Sequence, residues 1–347
     1  MSQSLSELPF LNLYVRLDQQ EKPTYRAKDR NQGAKNLPIP DDFLPIVEQF
    51  ATAVKAELQD RARGIVQHNG TRCRLSKQIM ADGSVWACAR RIEENLPKLD
   101  SLGFAPHIHN HLHSIGEREG LILVSGSAMQ GKTTTASGLL VDYLQSYGGL
   151  AITIEEPVEY VLKGRHGDSG QCFQIEPQNE QGWEEALSNI MGWAPRYIFV
   201  GEVRTPKTAE LLLNAATTGH TVITTFHGGM PEDALIGLLF LAEQSMGKGA
   251  ADILAGCLTA LLHQTLKEEG PFVRYLFTEE NAPADPIRGL IRENKIGMMS
   301  TYIDRISARL ANMPAPGSIA KPSAVPAGMA SGASGQPPLP PLPPIRR

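Results

Sequence analysis

Little cysteine, few aromatics and no surplus of positive charge mark this chain. Its four cysteines, Cys73, Cys88, Cys172 and Cys257, are widely scattered, and no Cys-x-x-Cys occurs. That spacing excludes a zinc ribbon or a redox dithiol and leaves buried thiols in a reducing compartment as the plain reading. Lysine and arginine number 33 against 37 aspartate and glutamate, a net charge of −4. The bulk basic field of a nucleic-acid-binding domain is therefore missing, which argues against a helicase and against nucleic acid as a partner, although a local basic channel stays open. The most apolar stretch, "ALIGLLFLA" (234–242), is about half of what a membrane span requires. The opening "MSQSLSELPFLNLYV" has neither the basic start nor the long apolar core of a secretory signal. A cytosolic protein is expected, one able to dock on a membrane-embedded partner.

What is present suffices for globular cores: 347 residues, 41% of them apolar, or about two domains at roughly 100–200 residues each. Residues 1–40 are polar and interrupted by proline, with a basic patch at 26–35, and are expected to be poorly ordered. Residues 41–112 read as a small α+β domain. A helix is predicted over "DDFLPIVEQFATAVKAELQDRARG", capped by Asp41 or Asp42. In "RCRLSKQIMADGSVWACARRI" (72–92), two partly alternating apolar arms flank "ADGS", a hairpin signal. Residues 113–308 change texture. "GLILVSG", "LAITIEE", "RYIFVGE" and "HTVITTFH" are strand-like. "KTTTASGLLVDYLQSYGG" and "TPKTAELLLNAATTG" are helical, the first ending in a glycine pair and the second with proline in its first turn. Alternation of short apolar strands with helices predicts an α/β fold with a parallel sheet covered on both faces. Helices are expected to dominate 232–308. The last segment, 309–347, is Pro, Ala, Gly and Ser-rich and ends "PPLPPLPPIRR". It cannot bury a core, so it reads as a disordered tail or as a docking peptide for an aromatic-lined groove.

The strongest chemical signal is "GSAMQGKT", which is Gly126, Ser127, Ala128, Met129, Gln130, Gly131, Lys132 and Thr133. It matches G-x-x-x-x-G-K-[ST] between a strand and a helix, the context that identifies a phosphate-binding loop. Its glycines allow a tight turn whose N–H groups point at phosphate oxygens, and the helix N-terminus that follows adds partial positive charge. Lys132 is expected on the β and γ phosphates and the Thr133 hydroxyl on magnesium, with Thr134 next in the helix. ATP and Mg2+ are the implied ligands. "TIEEPVEY" (153–160) sets Glu155, Glu156 and Glu159 at a strand's carboxyl end, where such sheets bind ligands, though taken alone it also fits a solvated acidic turn. In "RYIFVGEVRT" the apolar run leads into Gly201-Glu202 where an Asp-Glu pair would be usual. Glu202 can orient or deprotonate an attacking water. His220 and His227 frame the strand "HTVITTFH" beside the phosphate site, and both are candidate catalytic residues. "HIHNHLH" puts His107, His109, His111 and His113 at alternate positions. On a strand the four would share a metal-binding face; on a helix they would split into two pairs on different sides.

Taken together, the phosphate loop, "TIEEPVEY", "VGEVR" and "TGHTVITTFH" resemble the secretion and traffic ATPase superfamily of type IV pilus motors and type II and type IV secretion ATPases. In that family the second box usually reads T-I-E-D-P-I-E, so Glu156 replaces an aspartate. The third reads V-G-E-[IM]-R-D, so Gly201 is normal there and Arg204 matches, whereas Thr205 replaces an aspartate and Lys207 an acidic residue. In the histidine box Thr217 replaces a glutamate. The resemblance implies a RecA-like ATPase domain preceded by a smaller PAS-like domain, whose last hairpin carries Arg72, Arg74 and Arg90. Family members use such arginines to reach a nucleotide on the neighbouring subunit. It also places a helix at "HIHNHLH". It implies a homo-oligomeric ring of six, inner-membrane platform or channel proteins as partners, and magnesium on Thr133 with Glu202, helped by Glu155 or Glu159, holding the rest of the metal shell and activating the nucleophile. "PIRGLIRENK" (286–295) resembles the carboxy-terminal signature of pilus retraction motors. A conjugation or secretion motor is the alternative within the family, and a nucleic-acid translocase on the same fold is the alternative outside it.

Overall fold

The computed structural model describes residues 4–19, 21–27, 35–92, 96–177, 179–267, 270–279 and 285–311, with side chains in the last segment as far as 306. The first sheet is built from β1 (Phe10–Arg16), β2 (Thr24–Ala27) and β3 (Asn36–Pro38), then, after helix α1 (Leu44–Leu58), from β4 (Arg63–His68), β5 (Thr71–Ile79) and β6 (Val85–Ile92). Its strand order is β3-β2-β1-β6-β5-β4, antiparallel throughout. Strand side chains alternate between faces. One face carries Leu13, Val15, Cys73, Leu75, Ala87 and Ala89, all buried against Val47, Phe50, Val54 and Leu58 of α1. Burying each large apolar side chain contributes about 1.5–3 kcal/mol, so this face fixes the register. The opposite face presents Arg26, Arg72, Arg74 and Arg90.

The expectation that 1–40 is poorly ordered is corrected by this sheet for the described residues of that segment. Leu5, Leu8, Phe10, Leu13 and Val15 are buried in its core, and β1 sits centrally between β2 and β6. The polar residues that suggested disorder, such as Asn12 and Arg16, are the outward half of an alternating strand. The helix expected over 41–64 ends at Leu58, β4 follows, and neither Asp41 nor Asp42 caps it, because Phe43 is the N-cap of α1. The "ADGS" turn does join β5 to β6. Most of the basic patch and nearly all of the Pro-rich tail lie outside the described residues.

The second sheet and its helices run α2 (Pro106–Ser114), β7 (Gly120–Gly126), α3 (Lys132–Tyr147), β8 (Gly149–Ile154), β9 (Gly164–His166), β10 (Gly170–Ile175), α4 (Glu180–Ile190) and β11 (Tyr197–Val200). They continue α5 (Pro206–Thr217), β12 (Thr221–His227), α6 (Pro231–Met246), α7 (Ala250–Cys257), β13 (Leu258–Lys267), β14 (Gly270–Phe277), α8 (Pro286–Arg292) and α9 (Ser300–Ala311). The order is β14-β13-β7-β12-β11-β8-β10-β9. β7 and β11 are buried at every residue, as strands covered on both faces must be. On one side Leu139, Leu140 and Tyr143 of α3 pack with Leu112 of α2; on the other lie Leu212 of α5, Leu238 of α6 and Leu254 of α7.

Two expectations are amended here. The sheet is mixed, since the edge strands β9 and β14 run antiparallel to their neighbours. Residues 258–267 and 270–277 are a strand pair, not helix. "TALLHQTL" is a short apolar run, and such runs do not distinguish a buried strand from a buried helix by periodicity. Arg288, in the segment with the carboxy-terminal resemblance, donates to the carbonyls of Ala255 and Gly256 at the end of α7 and to Thr278, fastening α8 to this pair. Among the described residues, no helix is long and apolar enough to cross a membrane.

Candidate active site

The carboxyl ends of β7, β8, β11 and β12 lie side by side, with His227 paired to Gly126 and Val200 to Ile154. At the end of β7, Gly126 adopts φ 147°, and a Cβ there would stand 2.4 Å from the Gln264 carbonyl oxygen. Only glycine fits. Gly131, at φ 77°, is the N-cap of α3, so Lys132 opens that helix and its free N–H groups face the loop. The Lys132 ammonium donates to the carbonyls of Gly126 at 2.9 Å and Ser127 at 2.8 Å, and lies 3.2 Å from His227 Nδ1. Burial lowers its pKa, while Glu202 and Glu159 oppose that shift.

The loop is gripped from β13. Gln264 donates to the Gln130 carbonyl at 2.6 Å and accepts from the Thr135 hydroxyl at 2.7 Å. The Gln130 side chain in turn accepts from the Leu266 N–H at 2.6 Å. Sequence reading missed Gln264; the available signal was a glutamine within an otherwise apolar run. Thr134 bonds Tyr160 at 2.9 Å, tying α3 to the acidic segment.

Glu155 follows β8 and is 2% exposed. Its Oε1 accepts from Thr153 at 2.6 Å and Gln174 at 3.0 Å. Its Oε2 is buried with no hydrogen-bond partner among the described residues. Burial pushes this carboxyl up to about 7. The strand-end position beside it is Gly201, where a Cβ would lie 3.4 Å from the Glu155 backbone and side chain. Gly201 thus stands directly against Glu155, the carboxylate at the end of β8. Glu202 is held at both oxygens: Oε1 lies 2.6 Å from His227 Nε2, and Oε2 accepts from Arg204 at 2.7 Å. Glu159 pairs with Arg74 at 4.0 Å, and Glu156 with Arg63 at 2.6 Å.

A group whose folded pKa is raised contributes most to stability below its unfolded value and loses that contribution as pH climbs to the folded value. For Glu155 the window runs from the ordinary 4.5 to about 7. Glu155→Gln is therefore expected to raise stability by about 3 kcal/mol at pH 8 and by nothing measurable below pH 4.5. Urea unfolding with EDTA present checks this, and equal stability of the two proteins at pH 8 would refute it.

A cavity of about 820 Å³ opens over this ground, lined by Lys132, Glu155, Glu159, Glu202, Arg74 and Arg90 among others. A hard divalent cation of magnesium type takes oxygen donors. The Thr133 hydroxyl, the unpartnered Glu155 Oε2 and Glu202 offer them, so the residues fit such an ion. Two candidates are not brought here. His220 contacts the Pro195 carbonyl at 2.6 Å and precedes β12, at the opposite end of the strand from His227 and roughly 20 Å away. Arg72 lies beyond the cavity lining. Thr205, which departs from the family pattern, caps α5 by accepting from the Thr208 N–H at 3.2 Å. Threonine and aspartate both serve as N-caps, so this departure keeps the local structure. The four histidines lie on α2, where His111 packs on Phe277 and His113 pairs with Asp142 at 2.7 Å. Among the described residues, no group of three or more His, Cys, Asp or Glu is placed to hold a metal ion, so these histidines form no such group.

Known proteins resemble this chain in sequence and in fold. Residues 65–284 match the family described as Type II/IV secretion system protein. The type IV pilus retraction ATPase PilT of Pseudomonas aeruginosa is 33% identical over 192 residues, 53% of this chain and 53% of that protein. The uncharacterized protein YggR of Escherichia coli is 32% identical over 270 residues, 72% of this chain and 78% of its own length. The twitching motility protein of Neisseria gonorrhoeae is 30% identical over 188 residues, and the match spans 49% of it. The chain thus spans about half the length of several curated relatives it matches. Among solved structures, the pilus retraction motor PilT with bound ADP superposes with a TM-score of 0.65 at 26% identity, covering 86% of this chain and 87% of that one. The Legionella pneumophila ATPase DotB superposes at 0.62 with 18% identity over 88% and 85% of the two chains, a likeness of fold.

Proposed function

We propose an ATP-hydrolysing motor, on the premise that this chain belongs to the Type II/IV secretion system protein family. One observation carries the reading. Lys132, His227 and Glu202 form a continuous chain of contacts at 3.2 and 2.6 Å, linking the phosphate loop directly to a carboxylate. Phosphoryl transfer is catalysed by positioning and charge more than by covalent chemistry, and this chain supplies both. The loop N–H groups and Lys132 hold the β and γ phosphates. Glu202, kept in place by Arg204 and His227, orients a water and accepts its proton. Bound magnesium would neutralise charge on the phosphate oxygens. Glu155 and Glu159 stand beside Glu202 in the same cavity as alternatives for the base. Arg74 and Arg90 face the developing charge from the first sheet.

In this reading residues 113–308 form a RecA-like domain, and the first sheet, with α1, a PAS-like one. Six copies form a ring in which such arginines also reach the neighbouring subunit's nucleotide. Hydrolysis turns one domain against the other. The ring works at the inner membrane on platform or channel proteins, retracting a pilus, as the name of the PilT relatives has it, or driving a secretion or conjugation channel. The purified full chain is expected to hydrolyse ATP with magnesium, to stop with EDTA, to ignore added DNA, and to give rings in negative stain. A persistent monomer without turnover would sink the motor reading. Stimulation by DNA that falls steeply with salt would favour a translocase.

A further inference from the structure

The outer face of the first sheet carries a row of arginines that the register makes continuous. Asn12 pairs with Arg26 on one side and with Arg90 on the other, and Arg90 pairs with Arg74. Alternation puts all three on one face: Tyr25 and Ala27 flank Arg26 and are buried toward α1, while Arg26 is half-buried on the other side. Arg26, Arg90 and Arg74 all line the cavity that also holds Lys132 and the phosphate loop. Like charges directly across strands are destabilising, and each of Arg90 and Arg204 lowers the Arg74 pKa after the larger effect of burial. Glu159 partly offsets that at one end. For Arg26, no carboxylate partner is recorded among the described residues.

We propose that Arg26 holds the nucleoside end of the bound nucleotide, its guanidinium lying on the face of the base; this rests on the reading of the cavity as an ATP site. Direction along the row decides which end. Arg74 meets Glu159 at 4.0 Å, beside Glu155 and Glu202, so that end faces the terminal phosphate. Arg26 is three strand spacings further on, roughly 14 Å. Leu11, Met129 and Leu266 also line the cavity and supply apolar surface to an aromatic ring. A triphosphate extended away from the catalytic carboxylates brings its base to Arg26. A planar guanidinium stacks on an aromatic face, whereas a lysine ammonium is a compact, strongly hydrated point charge. The sequence showed Arg26 only as the start of a basic patch in a segment expected to be poorly ordered, so nothing there placed it at the site.

The full chain and its Arg26→Ala, Arg26→Gln and Arg26→Lys variants are titrated with ADP by calorimetry and assayed for ATP turnover. Both Ala and Gln are expected to weaken ADP and raise KM for ATP about tenfold, with kcat changed by less than about twofold. Lys should behave like Ala. ADP affinity within about twofold of the native chain in both Ala and Gln variants, with circular dichroism showing them folded, overturns the assignment. Full rescue by Lys overturns the base contact, because a phosphate contact tolerates either cation. A native chain that binds no ADP overturns the ATP reading itself, a different failure from that of Arg26.

Discussion

Lys132→Ala is expected to abolish ATP turnover and to weaken nucleotide binding by about 10²-fold or more. The side chain is 8% exposed and stands at the first turn of α3, where the loop's N–H groups already favour anions. Among the described residues, it is the only lysine in the cavity lining. Glu202 and Glu159 keep its charge against the burial that lowers its pKa. Removing the ammonium leaves those carboxylates facing the phosphates without the cation between them, so repulsion adds to the lost attraction. Calorimetry with ADP and a phosphate-release assay read the two effects separately. Retention of near-native affinity would show that the loop does not bind phosphate through Lys132.

Glu202→Gln is expected to lower kcat by about 10²–10⁴-fold, the range of a lost general base, while ATP binding changes little. The amide keeps the size and can accept from Arg204, but it cannot take a proton from water. The two contacts that hold Glu202, at 2.6 and 2.7 Å, place it on the His227 side of the loop, not against the nucleoside end. Binding and turnover should therefore separate in this variant and fall together in Lys132→Ala. Near-normal turnover in Glu202→Gln would move the base to Glu155 or Glu159.

Which parts of this site could be read in advance follows from how local each signal is. The phosphate loop, "TIEEPVEY" and "VGE" are contiguous motifs, and each lies at the carboxyl end of a strand by the sequence pattern alone. His227 was legible as the end of an apolar strand. His220 looked equivalent, yet a strand has two ends, and only the pairing of His227 with Gly126 tells them apart. Arg74 and Arg72 differ by two positions and share a face, so alternation could not separate them. Their position in the cavity depends on how the two sheets meet. Gln264 lies 134 residues from Gln130, and no local pattern reports such a contact. The strands β1 to β3 were missed because their outward residues are polar and their loops carry proline and lysine. The apolar half of the alternation, Leu13, Val15 and Tyr25, is complete.

The grip of Gln264 on the loop has a consequence for how the protein is made. A ribosome finishes "GSAMQGKT" well before it reaches β13. Until then Gly126 has no carbonyl packed against it, and Gln130 and Thr135 have no amide to share. The nascent chain carries the whole motif without these contacts from β13. If the loop binds nucleotide as proposed, that affinity should arrive late, once Leu266 has emerged and its N–H has met the Gln130 side chain.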